Sequence, residues 1–243
     1  MYFTLMKRME VLNFILLFSC AIISLHVTLA KTKQLQCNFP AQWQSNVFFD
    51  FEMMLVATQH INASGRFYYD YTNQQTRFDF AGIEHAGNTS VDFTLMWKFN
   101  EPAFYTVDNL DKSCEREDGV STFWNQWEGI PADASPEYFG RLGGFNEIVG
   151  QYKWAEKNAG PMGNVAITMD VKVGDVCSPV RLTMRELSKI SYGAFAYNYE
   201  FLDISDIKSP NVFTPPPNCH NTTSLRHINR MVTIPRYFGL FMG

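Results

Sequence analysis

The sequence predicts an all-β protein of antiparallel sheets. Three observations carry that prediction. Apolar and polar residues alternate with period two in several separate stretches. Polar, Gly- and Asn-containing turns separate those stretches at hairpin spacing. No stretch after the N-terminal region shows the 3.6-residue apolar period of a long amphipathic helix, and nothing repeats at a solenoid period. The pattern amounts to about nine or ten strands, which means sheets packed face to face or curled as a half-barrel.

In chain order, Val47–Ala57 places Val47, Phe49, Phe51, Met53 and Leu55 on one face, with Asp50 and Glu52 on the other. Asn62–Gly65 reads as a turn. Arg66–Tyr71 follows with Phe67, Tyr69 and Tyr71 on one face, and after Thr72–Gln75 the chain returns through Phe78 and Phe80. Val91–Phe99 is the cleanest strand, with Val91, Phe93, Leu95, Trp97 and Phe99 aligned. Ala103–Asp108 is its hairpin partner. Cys114–Gly144 alternates weakly and reads as a long connection, with one short strand or turn of helix near Glu137–Leu142. Its tryptophans, Trp124 and Trp127, fit either a cover over a cavity mouth or a cluster shielding a sheet edge. Asn146–Trp154 is a strand, and Val165–Val173 alternates cleanly. The chain then continues through Val176–Met184, and Ser191–Ile204 closes the sheet with Phe195, Tyr197, Tyr199 and Phe201.

Beyond Ile204, Ser209-Pro210 breaks the alternation, and the run Pro215-Pro216-Pro217 enforces an extended segment with no amide donors of its own, followed by Cys219. Such a segment suits a strap tied by a disulfide across an outer surface. Residues 225–243 mix Arg226, Arg230 and Arg236 with apolar residues, and Pro235 and Gly239 argue against a regular helix; they read as a frayed tail.

The N-terminus reads as a secretory signal over residues 1–30: basic Lys7 and Arg8, the apolar run Val11–Leu29, and Ala30 at the cleavage position. The remaining chain is mildly acidic with scattered charge, which gives no reason to expect nucleic acid as a partner. Of five cysteines, Cys20 lies in the signal. Cys37, Cys114, Cys177 and Cys219 are far apart and lack zinc spacing, so two long-range disulfides are expected, in any of three connectivities. Asn62, Asn88 and Asn221 each begin an Asn-X-Ser/Thr sequon, expected on surface loops as glycosylation sites.

Several segments resemble the ependymin-related proteins. Asp203-Ile204, Ile207-Lys208, Pro210, Val212-Phe213-Thr214-Pro215-Pro216 and Cys219 are similar to the family's C-terminal signature. Cys37, Pro40 and Trp43 resemble its N-terminus. Tyr69–Arg77 is similar to a YDxxNQRxR hairpin, with Gln75 where that pattern has Arg, and Cys177-Ser178-Pro179-Val180 is similar to C-x-P-V. The resemblance covers a domain over residues 31–224. It implies pairing of Cys37 with Cys177 and of Cys114 with Cys219. It also implies two stacked antiparallel sheets similar to bacterial lipoprotein carriers, a deep apolar pocket, and a homo- or heterodimer within the family.

No catalytic arrangement stands out: there is no GxSxG, no HExxH and no phosphate-cradling glycine loop, and the histidines are isolated. The chain is instead heavy in Phe and Tyr, which either fill a core or line a pocket. With the resemblance, the expectation is a secreted, extracellular, non-enzymatic carrier, with lysosomal delivery as a second destination. Its ligand would be a fatty acid, glycolipid or carotenoid. The expected lining is Phe49, Phe51, Phe67, Tyr69, Phe93, Leu95, Trp97, Ile167, Met169, Phe195 and Tyr197. The alternative is a calcium-linked adhesion or matrix protein, with acidic loops at Asp108–Asp111 and Glu115–Asp118 as candidate calcium sites that lack EF-hand spacing.

Overall fold

A computed structural model describes residues 35–54, 58–118, 126–141, 147–156, 164–186, 194–217 and 219–221. Residues 1–30, read above as a secretory signal, Trp124 and the tail over 225–243 lie outside the described residues.

The described chain is all-β, as expected. Its strands are β1 (Leu35–Asn38), β2 (Gln42–Met54), β3 (Thr58–Asp70), β4 (Gln75–Glu84), β5 (Thr89–Lys98), β6 (Ala103–Asp108), β7 (Ser113–Asp118), β8 (Gly129–Pro131), β9 (Ser135–Arg141), β10 (Ile148–Glu156), β11 (Val165–Lys172), β12 (Ser178–Glu186), β13 (Ala194–Ser205) and β14 (His220–Asn221). Twelve of them form one sheet in the order β14-β7-β6-β5-β4-β3-β2-β13-β12-β11-β10-β9, which does not close into a barrel. All neighbours are antiparallel except β14, which adds parallel to β7. β1 and β8 pair separately as a two-stranded ribbon. The two expected layers are therefore halves of one hydrogen-bonded sheet, joined where β13 pairs with β2 from Ala194↔Met54 to Ser205↔Gln44.

The sheet is curled. Phe67 on β3 and Met169 on β11 stand four strands apart, roughly 19 Å on a flat sheet, yet they line one small cleft. The inner face carries the alternation seen in the sequence. Trp43, Val47, Phe49 and Phe51 of β2 are buried, as are Phe78 and Phe80 of β4 and Val165, Ile167, Met169 and Val171 of β11. Their rings pack on each other: Phe51 on Tyr197 at 4.6 Å, Phe49 on Tyr199 at 4.8 Å, Phe78 on Phe80 at 4.9 Å, Trp97 on Phe104 at 4.5 Å. Offset and tilted ring pairs of this kind add about 0.5–1.5 kcal/mol each beyond burial.

Both disulfides form as the resemblance implied. Cys37 joins Cys177 (Cα–Cα 5.8 Å) and Cys114 joins Cys219 (4.5 Å). The first fastens the ribbon to the β11–β12 turn, aided by Cys177 N–H donating to Asn38 O at 2.8 Å. The second ends the strap. Pro210–Phe213 form a 3-10 turn over the outer face, where the Arg77 guanidinium donates to Val212 O at 2.6 Å. Phe213 is buried against Tyr68, and Cys219 packs on Met96, Ala103 and Tyr105.

Two further expectations change. Asn62–Gly65 is no turn: β3 runs straight through it, paired to β2 and β4 throughout. These residues resemble a turn because all four, Asn62, Ala63, Ser64 and Gly65, are small or polar, and Asn62 and Ser64 face outward. Asn62 therefore sits in mid-strand, and Asn221 is the last residue of β14, rather than on loops, whereas Asn88 lies in the β4–β5 turn with φ 48°. The other change is that β7 and β8 are strands within the stretch read as a connection, whereas β9 answers the short strand expected near Glu137–Leu142. β7 lies next to one end of the sheet, where one-sided packing does not demand alternation, and β8 is only three residues long.

Gly65 is required by a close approach: a Cβ there would stand 1.8 Å from Asp79 O. Gly65→Ala is expected to cost about 2 kcal/mol or more, read as a lower urea midpoint. The β3–β4 turn is held by Asp70, buried at 3 % exposure, whose carboxylate accepts from Asn73 N–H (3.0 Å), Asn73 Nδ2 (2.7 Å) and Gln75 Nε2 (3.1 Å). Burial alone would raise its pKa; the hydrogen bonds from Asn73, Gln42 and Gln75 outweigh that and hold it below the usual carboxylate value. The stability this contributes is present above the unfolded pKa and is lost as pH falls through the folded one. Asp70→Asn is expected to lower stability at neutral pH and to flatten the acid limb of a stability profile between about pH 5 and 2.

Candidate hydrophobic cleft

Toward one end of the inner face the rings part slightly. Trp43 stands at the centre, 5.2 Å from Phe67, 5.4 Å from Tyr69 and 5.6 Å from Phe201. Met169, Leu182 and Pro179 supply the opposite wall, and Phe39 and Trp127 complete the lining from outside the main sheet. The residual void is about 30 Å³, close to the volume of one water molecule in the liquid.

The cover is built from segments flanking the ribbon. Phe39 follows β1 and Trp127 precedes β8; Phe39 N–H donates to Glu128 O at 2.8 Å. Tyr69 OH donates to Trp127 O, Tyr71 OH to Glu128 Oε2 at 3.3 Å, and Gln126 Nε2 to Gln75 O at 3.1 Å. The Trp127 ring meets Trp154 of β10 edge-on at 5.4 Å. Trp127 thus bridges β3 and β10, five strands apart in the sheet. Burial first, then the neighbouring Tyr71 and the acidic Glu128 and Asp70, push the Tyr69 hydroxyl far above its ordinary pKa, so it stays a neutral donor. Burial and Glu128 likewise raise Tyr71.

Of the residues expected to line a pocket, Phe67, Tyr69 and Met169 do so. Phe49, Phe51, Phe93, Leu95, Trp97, Ile167 and Tyr197 are buried, but they pack in the core away from the cleft. The side chain of Phe195 lies outside the described residues. Trp43, Leu182, Pro179, Phe201 and Phe39 are lining residues the sequence reading did not name, whereas Trp127 takes the first of its two expected places, over the mouth of a cavity. Trp43 and Phe201 share the face parity of the predicted residues, which is the signal that selects them.

Trp43 Nε1 and Tyr199 OH are buried donors without a partner among the described residues. Buried polar atoms without partners are uncommon in folded proteins. The acidic loop Asp108–Asp111 spends carboxylate oxygens on its own amides: Asp108 accepts from Leu110 N–H at 2.9 Å, and Asp111 from Ser113 N–H at 2.7 Å. Asp118 pairs with Arg116 at 2.6 Å. Among the described residues no group of three His, Cys, Asp or Glu is placed to hold a metal ion. No described helix is long and apolar enough to cross a membrane.

No family model matches the chain, and no curated protein matches it. Among solved structures the chain is similar to an uncharacterized conserved protein from Thermus thermophilus, at 12 % identity and a TM-score of 0.41, over 75 % of this chain and 90 % of that one.

Tyr69→Phe removes the hydroxyl that holds the Trp127 carbonyl. It is expected to cost about 1 kcal/mol of stability and to loosen the cover, read as faster amide exchange around residues 126–130 with little change in β3.

Proposed function

We propose that this chain is an extracellular binding protein of the ependymin-related kind that holds a hydrophobic small molecule, a fatty acyl chain or polyene, without acting on it chemically. The observation that carries this reading is the cleft itself. Its lining is aromatic and aliphatic, and part of that lining belongs to segments that are not in the main sheet. At its present size the void admits no lipid chain, so a ligand enters by displacing Phe39 and Trp127. The displaced ring contacts are replaced by ligand contacts, and each buried CH₂ contributes about 0.8 kcal/mol.

The unpartnered Trp43 indole adds a preference. A ligand with one acceptor, such as a carboxyl or carbonyl, has an unspent donor to meet in the cleft wall. The two disulfides support an oxidising compartment. Passage through the secretory pathway, glycosylation at Asn62, Asn88 and Asn221, and pairing with a second ependymin-like chain belong to the same proposal.

The test is native purification followed by organic extraction and mass spectrometry, together with tryptophan quenching by a fatty acid and by a carotenoid. Trp127→Ala, which opens the cover, is expected to raise uptake several-fold, and Met169→Arg to abolish it. Native protein with nothing extractable, combined with no quenching in either wild type or Trp127→Ala, would sink the proposal.

A further inference from the structure

A second, larger depression lies on the outer face, away from the cleft. It measures about 570 Å³ and is lined by side chains of β2, β3, β12 and β13. Its chemistry is the reverse of the cleft's. Asp50, Asn198 and Thr183 run across its floor in register, joined by Asn198 Nδ2 donating to Asp50 at 3.5 Å and Thr183 Oγ1 to Asn198 at 3.1 Å. Arg181 pairs with Glu200 at 3.0 Å along one side. Phe48, opposite Glu200, stands 55 % exposed among them. A flat apolar ring surrounded by planar carboxylate, amide and guanidinium groups is a surface suited to a sugar. The ring covers the apolar face of a pyranose, and the planar groups exchange hydrogen bonds with its hydroxyls.

The wall of this groove contains Asn62, the first residue of a sequon. Its side-chain amide is held on two sides: Nδ2 donates to Asp50 Oδ1 at 3.0 Å, and Oδ1 meets His85 Nε2 at 2.6 Å. His85 in turn stacks on His60 at 4.7 Å, and His60 bonds Asp50 at 2.7 Å. A glycosylated asparagine keeps one hydrogen on Nδ2 and its whole Oδ1. Both remaining functions already have partners here, and the second Nδ2 hydrogen is the one a sugar replaces.

We propose that the outer groove is the seat of an N-linked glycan on Asn62, whose first sugars lie along it over Phe48. In the linking step, Nδ2 bonds to C1 of the first sugar of an oligosaccharide supplied as a polyprenyl pyrophosphate. The C1–O bond to phosphate breaks, Nδ2 loses a proton, and polyprenyl pyrophosphate leaves. Because Asn62 is in mid-strand between β2 and β4, the transfer precedes closure of the sheet. The inference rests on the secretory reading above and goes beyond it in giving one glycan a structural place.

The test uses the full chain secreted from eukaryotic cells, with site-resolved glycopeptide mass spectrometry and enzymatic deglycosylation of the folded protein. The Asn62 glycan is expected to be released at least about tenfold more slowly than the one on the Asn88 turn, since it must leave the groove first. Phe48→Ala is expected to close that gap. Ser64→Ala, which removes the sequon but keeps the Asn62 amide and its partners, is expected to lose the glycan and lower the thermal midpoint. Asn62 bare while Asn88 is modified, or equal release at both sites, overturns the inference and leaves the secretory reading standing. All three sequons bare in secreted material overturns the inference together with the glycoprotein part of that reading.

Discussion

The pairing of β13 with β2 is the constraint on which the rest depends. It brings Asn198 beside Asp50, 148 positions away in sequence, and Tyr199 beside Phe49. Without it the chain has two separate meanders, β2 through β7 and β9 through β13, each with one apolar face open to water. With it there is one curled sheet whose inner rings meet across the seam. The same register builds the polar outer groove, because successive side chains of a strand point to opposite faces. The cleft and the groove are thus two consequences of one alignment, and a slip of one residue would exchange their linings.

The long-range character of that seam explains the covalent bonds. The closing partners are far apart in sequence, so the entropy of bringing them together is large. The disulfides span separations of 140 and 105 residues. Each restricts the unfolded chain and stabilises by an amount on the order of 2–5 kcal/mol. They act at different places: one fastens the ribbon beside the cleft, and the other pulls the proline-rich strap over the outer face of β4 to β7.

The alternation in Val91–Phe99 and Val165–Val173 made the antiparallel class legible, because a half-buried strand must repeat every two residues. The same rule hid other elements. β3 carries Asn62, Ser64 and Gly65 in its middle, and outward-facing small polar residues look like a turn when only the sequence is read. β7, with the sequence SCERED, lies beside the two-residue β14 near the end of the sheet and buries little, so nothing enforces a pattern. For the cleft, parity told which face a residue occupies but not how far along the strand the rings separate. Phe67, Tyr69 and Met169 were found on that basis; Phe49 and Phe51 share the face but lie deeper in the packed core. Phe39 and Trp127 had no periodicity to reveal them, since they come from segments outside the main sheet.

The two ends of the sheet are unequal. At one, β7 is partly capped by β14 and drawn under the strap by the Cys114–Cys219 bond. At the other, β9 has no further strand beside it among the described residues, and Tyr138 and Phe139 are exposed on it. Among the described residues, one rim of the sheet is therefore held by a covalent bond, and the other by its pairing with β10 and by the Phe139 ring resting edge-on against Tyr152.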